Sequence, residues 1–139
     1  MAEAESRAHV RLKLPTRPVV VLAIDDEDRR ATSAYAITAA GFDVTTSDQN
    51  PTRADPSGPV PDIVVADLAA GSRHGWTLVR KLKHDSRTSD IPVIAVAADI
   101  EDGTREFARR EGCAAVCPMT CPADVLTSGI RAVLNHRFR

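Results

Sequence analysis

The chain has 139 residues, 18 of them basic and 19 acidic, and 43% are hydrophobic. That length suits one domain with one real core, and the even charge balance argues against the concentrated basic face that nucleic-acid binding requires. No apolar run approaches the ~20 residues that span a bilayer, and the charged stretch Met1 to Lys13 holds no signal-peptide core. A cytoplasmic protein is expected, with neither nucleic acid nor membrane as partner.

Residues 1–17 read as an arm. Val10, Leu12 and Leu14 alternate as in a short strand, but Pro15 and Pro18 bracket its end, and a disordered segment is expected. The domain proper is placed at 18–136, with a tail at 137–139. Val19 to Ile24 is a continuous apolar run that stops at Asp25-Asp26. Continuous rather than alternating apolarity is what a strand buried on both faces of a parallel sheet requires. Residues 27–40 are Ala-rich and helix-compatible, and Gly41 suits the position just past a helix end. A short β-prone segment follows at 42–46.

The 48–61 connection has the length of a helix but not the composition. Pro51, Pro56, Gly58, Pro59 and Pro61 interrupt any helix, so an irregular loop is expected at about 50–60. Such a loop leaves part of one sheet face less covered, unless Trp76 or the arm fills the gap. Ile63 to Ala66 repeats the first apolar pattern and stops at Asp67. Trp76, Val79 and Leu82 fall at helical spacing, with Lys81 and Lys83 outward. Ile91 to Val96 is a third buried-strand run. Residues 101–111 read as a polar helix ending at Gly112, 114–116 as a short strand, and Val125 to Leu134 as an amphipathic helix with Pro122 in its first turn.

Strands alternating with helices imply an α/β fold, a parallel sheet covered on both faces. The doubly wound order 2-1-3-4-5 sets the ends of the first and third strands side by side at the switch point, where ligands bind. Both ends carry aspartates. Asp25, Asp26 and Asp67 would converge there, and three carboxylates in one cleft either raise a pKa or take up a cation. Hard oxygen donors suit Mg²⁺. The plainer reading is that acidic residues end strands and cap the helices that follow; two such sites at adjacent strand ends favour the cluster.

The segments Ile24-Asp25-Asp26-Glu27, Pro61 to Leu68 with Gly75 eight residues after Asp67, and Pro92 to Val96 together resemble the receiver domains of bacterial response regulators, the CheY-like family. The resemblance runs from about Val19 to Leu134 and implies a flavodoxin-like five-stranded receiver fold. It places Asp67 as the phosphoacceptor, served by a phosphohistidine or a small acyl phosphate. It implies Mg²⁺ held by Asp26, Asp67 and the backbone carbonyl of Ala69, with Asp25 reaching it through water.

The sequence departs from that family at its readout positions. Ala97 stands where the fourth strand usually ends in Thr or Ser, Met119 where a Lys is usual after the fifth strand, and Val116 where that strand usually carries an aromatic. A hydroxyl contact is worth about 1 kcal/mol and a charged one roughly 1.5–3 kcal/mol. A full population switch needs about 5.5 kcal/mol, so losing both contacts removes much of the relay. Arg73, His74 and Arg105 are the candidates to replace the lysine. Cys113, Cys117 and Cys121 are read as ordinary small thiols rather than a zinc set.

The expectation is therefore an atypical single-domain receiver in phosphorelay signalling, not an enzyme. Its partners would be a sensor histidine kinase or phosphotransfer protein and a downstream protein. Since no output domain is read after residue 139, the resemblance implies contact through the face of the 101–111 helix, the fifth strand and the last helix, a face that also allows a homodimer. The alternatives are a phosphorylation-independent pseudoreceiver binding module and a small Mg²⁺-dependent phosphohydrolase; the latter lacks a general acid two residues after Asp67, where Ala69 stands.

Overall fold

The computed structural model describes residues 17–46, 61–68, 73–97, 102–118 and 121–137. Five strands, β1 (Val19–Ala23), β2 (Asp43–Thr46), β3 (Ile63–Asp67), β4 (Val93–Ala97) and β5 (Ala115–Pro118), alternate with helices. The described helices are α1 (Glu27–Ala39), α2 (Arg73–His84), α3 (Asp102–Arg110) and α4 (Ala123–Arg137). The strands form one sheet in the order β2-β1-β3-β4-β5, with every neighbouring pair parallel. This is the expected doubly wound fold. The arm through residue 16 and the loop expected at about 50–60 lie outside the described residues.

The central strands β3 and β4 are buried along their whole length. A strand's side chains alternate between faces, and the core divides accordingly. Val21, Ala23, Val64, Ala66, Val93 and Ala95 meet Leu78, Val79 and Leu82 of α2 and Ala108 of α3. Val20, Leu22, Ile63, Val65, Ile94 and Val96 meet Ile37 of α1 and Leu126, Ile130 and Leu134 of α4. Each strand feeds both halves, which is why its apolarity is continuous.

Two helices end in the same way. Past α1, Gly41 (φ 109°) lets its own N–H reach Thr38 O and the Phe42 N–H reach Ile37 O. Past α3, Gly112 (φ 97°) does the same toward Arg109 O, and Cys113 toward Ala108 O. In both, the left-handed residue satisfies carbonyls the helix would leave open and turns an apolar residue back into the core. Arg17 belongs to the folded part rather than to the arm: its guanidinium donates to the carbonyls of Thr38, Gly41 and Phe42.

One side chain differs from expectation. Lys83 is not outward; its Nζ donates to the carbonyls of Ser89 and Ile91, because a long flexible stem can lie along the chain while its charge finds oxygens. Trp76 is half-buried and meets Phe107 of α3 edge to face, at 4.7 Å between ring centres, so it joins α2 to α3. Pro122 precedes α4, its carbonyl accepting from Val125 and Leu126 N–H. No helix among the described residues is long and apolar enough to cross a membrane.

Two predictions follow from this packing. A Cβ on Gly75 would collide with the backbone carbonyl of Asp67, so Gly75→Ala must push α2 off β3. It should cost about 1–3 kcal/mol in urea unfolding, against about 0.5 kcal/mol or less for exposed Thr77→Ala. Separately, burial pushes the Cys113 thiol up to about 11 from an ordinary 9.0. The unfolded chain then loses this proton first. Stability tied to it should be intact below pH 9 and fall as pH rises from about 9 to about 11, a slope that Cys113→Ala should flatten.

Candidate functional site

Parallel pairing fixes the edge on which the site lies. Ala66 stands opposite Ala23, and Asp67 opposite Val96, so the residues just past β1 and the last residue of β3 share the carboxyl edge. Asp25 and Asp26 follow β1 and are exposed, whereas Asp67 is only 2% exposed. The sheet topology thus places the three expected carboxylates at one edge, in two quite different environments.

Asp26 is the N-cap of α1. Its backbone is extended (φ −69°, ψ 121°), and its carboxylate accepts the Arg29 N–H at 3.0 Å. This satisfies one of the amides a helix start leaves open. The Arg30 guanidinium donates to Ile24 O at 2.9 Å, tying the first turn back to the end of β1. The plain capping role weighed for this aspartate is therefore what its carboxylate performs.

Asp67 has the same alternation parity as Ile63 and Val65, so its side chain belongs to the face covered by α1 and α4. The guanidinium of Arg29 meets it there, Nη2 to Oδ2 at 3.1 Å. The carboxylate is 3% exposed and the arginine side chain 31%. A buried carboxylate without a partner costs roughly several kcal/mol, and contact with Arg29 offsets part of that penalty. Beside it lies a cavity of about 230 Å³, lined by Ile24, Asp28, Arg29, Thr32, Val96 and Leu126 among others.

The carboxylates, tested as a cation cage, do not fit as arranged. Among the described residues no group of three or more His, Cys, Asp or Glu gathers so as to hold a metal ion. Asp26 is turned to the helix start, and an oxygen of Asp67 faces a guanidinium. Ala69, whose carbonyl the resemblance adds, lies outside the described residues.

The readout positions divide similarly. Ala97 closes β4 and is 4% exposed, offering a methyl where a hydroxyl would donate. Val116 is half-buried on the α2–α3 side. Met119 lies outside the described residues, as do the side chains of Arg73 and His74. Arg105 lines a shallow groove with Glu106, Arg109, Cys113 and Val116. Among the described residues, Arg29 is a cation set against Asp67, and sequence reasoning passed it over. One signal was available. Arg29 and Arg30 lie in the first turn, where the macrodipole disfavours cations, so each needs a local acceptor.

Solved structures share this architecture. A CheY-like response regulator receiver domain protein from Methanospirillum hungatei superposes with a TM-score of 0.73 at 12% identity, covering 88% of this chain and 97% of that one. The fold is that of a response-regulator receiver. The Vibrio cholerae chemotaxis protein CheY4 agrees with it, at a TM-score of 0.73 and 14% identity over 85% of this chain and 99% of the other. In sequence, the chain is 34% identical over 80 residues to the response regulator PleD of Caulobacter vibrioides, covering 56% of this chain and 18% of PleD. It is 30% identical over 74 residues to the protein PilH of Pseudomonas aeruginosa, covering 53% of this chain and 61% of PilH. The match therefore spans less than two thirds of either relative's length. No family model matches the chain.

The cap on the first helix can be weighed directly. Asp26→Ala should lower stability by about 1 kcal/mol in urea unfolding, and Asp26→Asn, which keeps the acceptor oxygen, by only a few tenths.

Proposed function

We propose that this chain is an atypical receiver in two-component-type signalling, with Asp67 as its phosphoacceptor. The observation that carries the reading is the position of Asp67: the last residue of the central strand β3, at the switch point beside β1. In the proposed step an Asp67 carboxylate oxygen attacks the phosphorus of a phosphohistidine or an acyl phosphate. The new O–P bond forms as the donor's N–P or O–P bond breaks, and the donor group leaves with the bonding pair. Asp67 brings the negative charge, and Arg29, already in contact, meets the charge gathering on the phosphoryl oxygens.

The chain's own role is signalling rather than multiple-turnover catalysis. The partners proposed are a histidine kinase or phosphotransfer protein upstream and a protein contact downstream. The groove of about 470 Å³ between α3 and β5 supports such a contact, with Arg105, Glu106 and Arg109 on one wall and Ala114 and Val116 on the other. A Mg²⁺ ion held by Asp25, Asp26 and Asp67 with the Ala69 carbonyl belongs to the same proposal; it would have to draw Asp26 from its cap and Asp67 from Arg29.

One observation favours a second reading. Asp67 is 2% exposed, with Arg29 against it and only a methyl at Ala97, as suits a pseudoreceiver that binds partners without phosphorylation. Incubation with Mg²⁺ and acetyl phosphate or beryllofluoride separates the two. A labile adduct in the wild type that is absent from Asp67→Asn is the expected result, read by intact-mass spectrometry. No adduct at any Mg²⁺ concentration would establish the pseudoreceiver instead, and sustained turnover of a phosphoester would point to a phosphohydrolase.

A further inference from the structure

We infer that Arg29 is the resident cation of the Asp67 site, occupying the place at the carboxylate that a divalent ion would otherwise take. The inference deepens the reading of Asp67 as the functional centre, and it rests on that placement rather than on phosphorylation.

Three observations converge on it. The ion pair is in direct contact, at 3.1 Å, and its acid partner is almost wholly buried. A guanidinium in contact with a buried carboxylate supplies the positive charge that the site requires, without the ligand rearrangement a metal would demand. Next, Arg29 is held at both ends. Its N–H is bound by the Asp26 carboxylate at 3.0 Å and its Nη2 by Asp67. One residue thereby engages two of the carboxylates that a cation would need, and its charged contact with Asp67 opposes a metal. Finally, the cavity beside Arg29, lined by Asp28, Thr32 and Ser33, gives the side chain a place to go. Asp28 offers a carboxylate there, and the two residues' hydroxyls offer acceptors.

The pair therefore sets a competition. Mg²⁺ and the guanidinium share one oxygen and repel each other at a few ångströms, so each binds at the other's expense. With Arg29 in place, the site is neutralised from within the chain. This differs from a lysine delivered by the loop after β5, since the charge comes from α1.

The test uses Mg²⁺ alone, with no phosphodonor, titrated calorimetrically into the full chain. Arg29→Gln should bind Mg²⁺ roughly tenfold or more tightly than the wild type, the effect of removing one adjacent positive charge. Adding Asp67→Asn to Arg29→Gln should erase that gain. Thermal melts give a second readout, in which Mg²⁺ should raise the midpoint of Arg29→Gln far more than that of the wild type. Equal Mg²⁺ affinity in wild type and Arg29→Gln would overturn the inference, as would a gain that survives Asp67→Asn. Should Arg29→Gln fold only with Mg²⁺ present, that rescue is itself the predicted behaviour. Should it fold under neither condition, Arg29→Lys decides: its single ammonium should loosen the hold on Asp67 and raise Mg²⁺ affinity, and an unchanged affinity would overturn the inference. Because no phosphodonor is present, these outcomes are independent of whether Asp67 forms an adduct.

Discussion

A carboxylate at the end of a strand buried on both faces must find positive charge or lose its own. The rest of this site is arranged around that constraint. Asp67 closes a strand whose four preceding residues are 0% exposed, so the chain carries an acid to the margin of its driest region. Water cannot solvate it freely there, and the neutralising charge must come from the protein or from a bound ion. Arg29 provides it from the adjoining helix. The cost of burying the acid and the geometry of the first helix are thus one problem with one solution.

The helix start shows how local and tertiary terms cooperate. Asp26 caps α1, and Glu27 and Asp28 suit its positive end. Arg29 and Arg30 alone would work against the macrodipole. Each is instead satisfied across the turn, Arg30 by the Ile24 carbonyl and Arg29 by Asp67. The first turn of α1 is held to β1 and β3 by hydrogen bonds, while Ile37 buries the helix's later turns. A rigid start and a packed body leave the Arg29 side chain, about one third exposed, as the adjustable part.

The readout side of the fold is plain by comparison. Ala97 contributes packing and no donor, and Val116 fills space beside α2 and α3. The surroundings of Asp67 and of the β4 end are thus unequal. The acid is set, capped about and paired, whereas the strand end that would sense a phosphoryl group offers a methyl. At the surface, the α3–β5 groove presents charge on one wall and small apolar side chains on the other.

How much of this was legible in the sequence depends on the range of the forces involved. The apolar runs at Val19, Ile63 and Ile91 mark strands because burial on both faces demands it, and β1, β3 and β4 lie there within two residues. Gly41 and Gly112 mark helix ends because only glycine adopts that backbone cheaply, and both do. Gly75 could be matched to a family pattern, but only the approach of α2 to the Asp67 carbonyl gives the reason for it. Lys83 looked outward because helical spacing ignores where a long stem can bend. The sequence alone determined the sheet, its order and the edge on which the aspartates stand, since periodicity and crossover handedness leave few choices. Tertiary structure decided what Asp67 touches. Arg29 is 38 residues away in sequence, and only the packing of α1 over β3 makes the two neighbours.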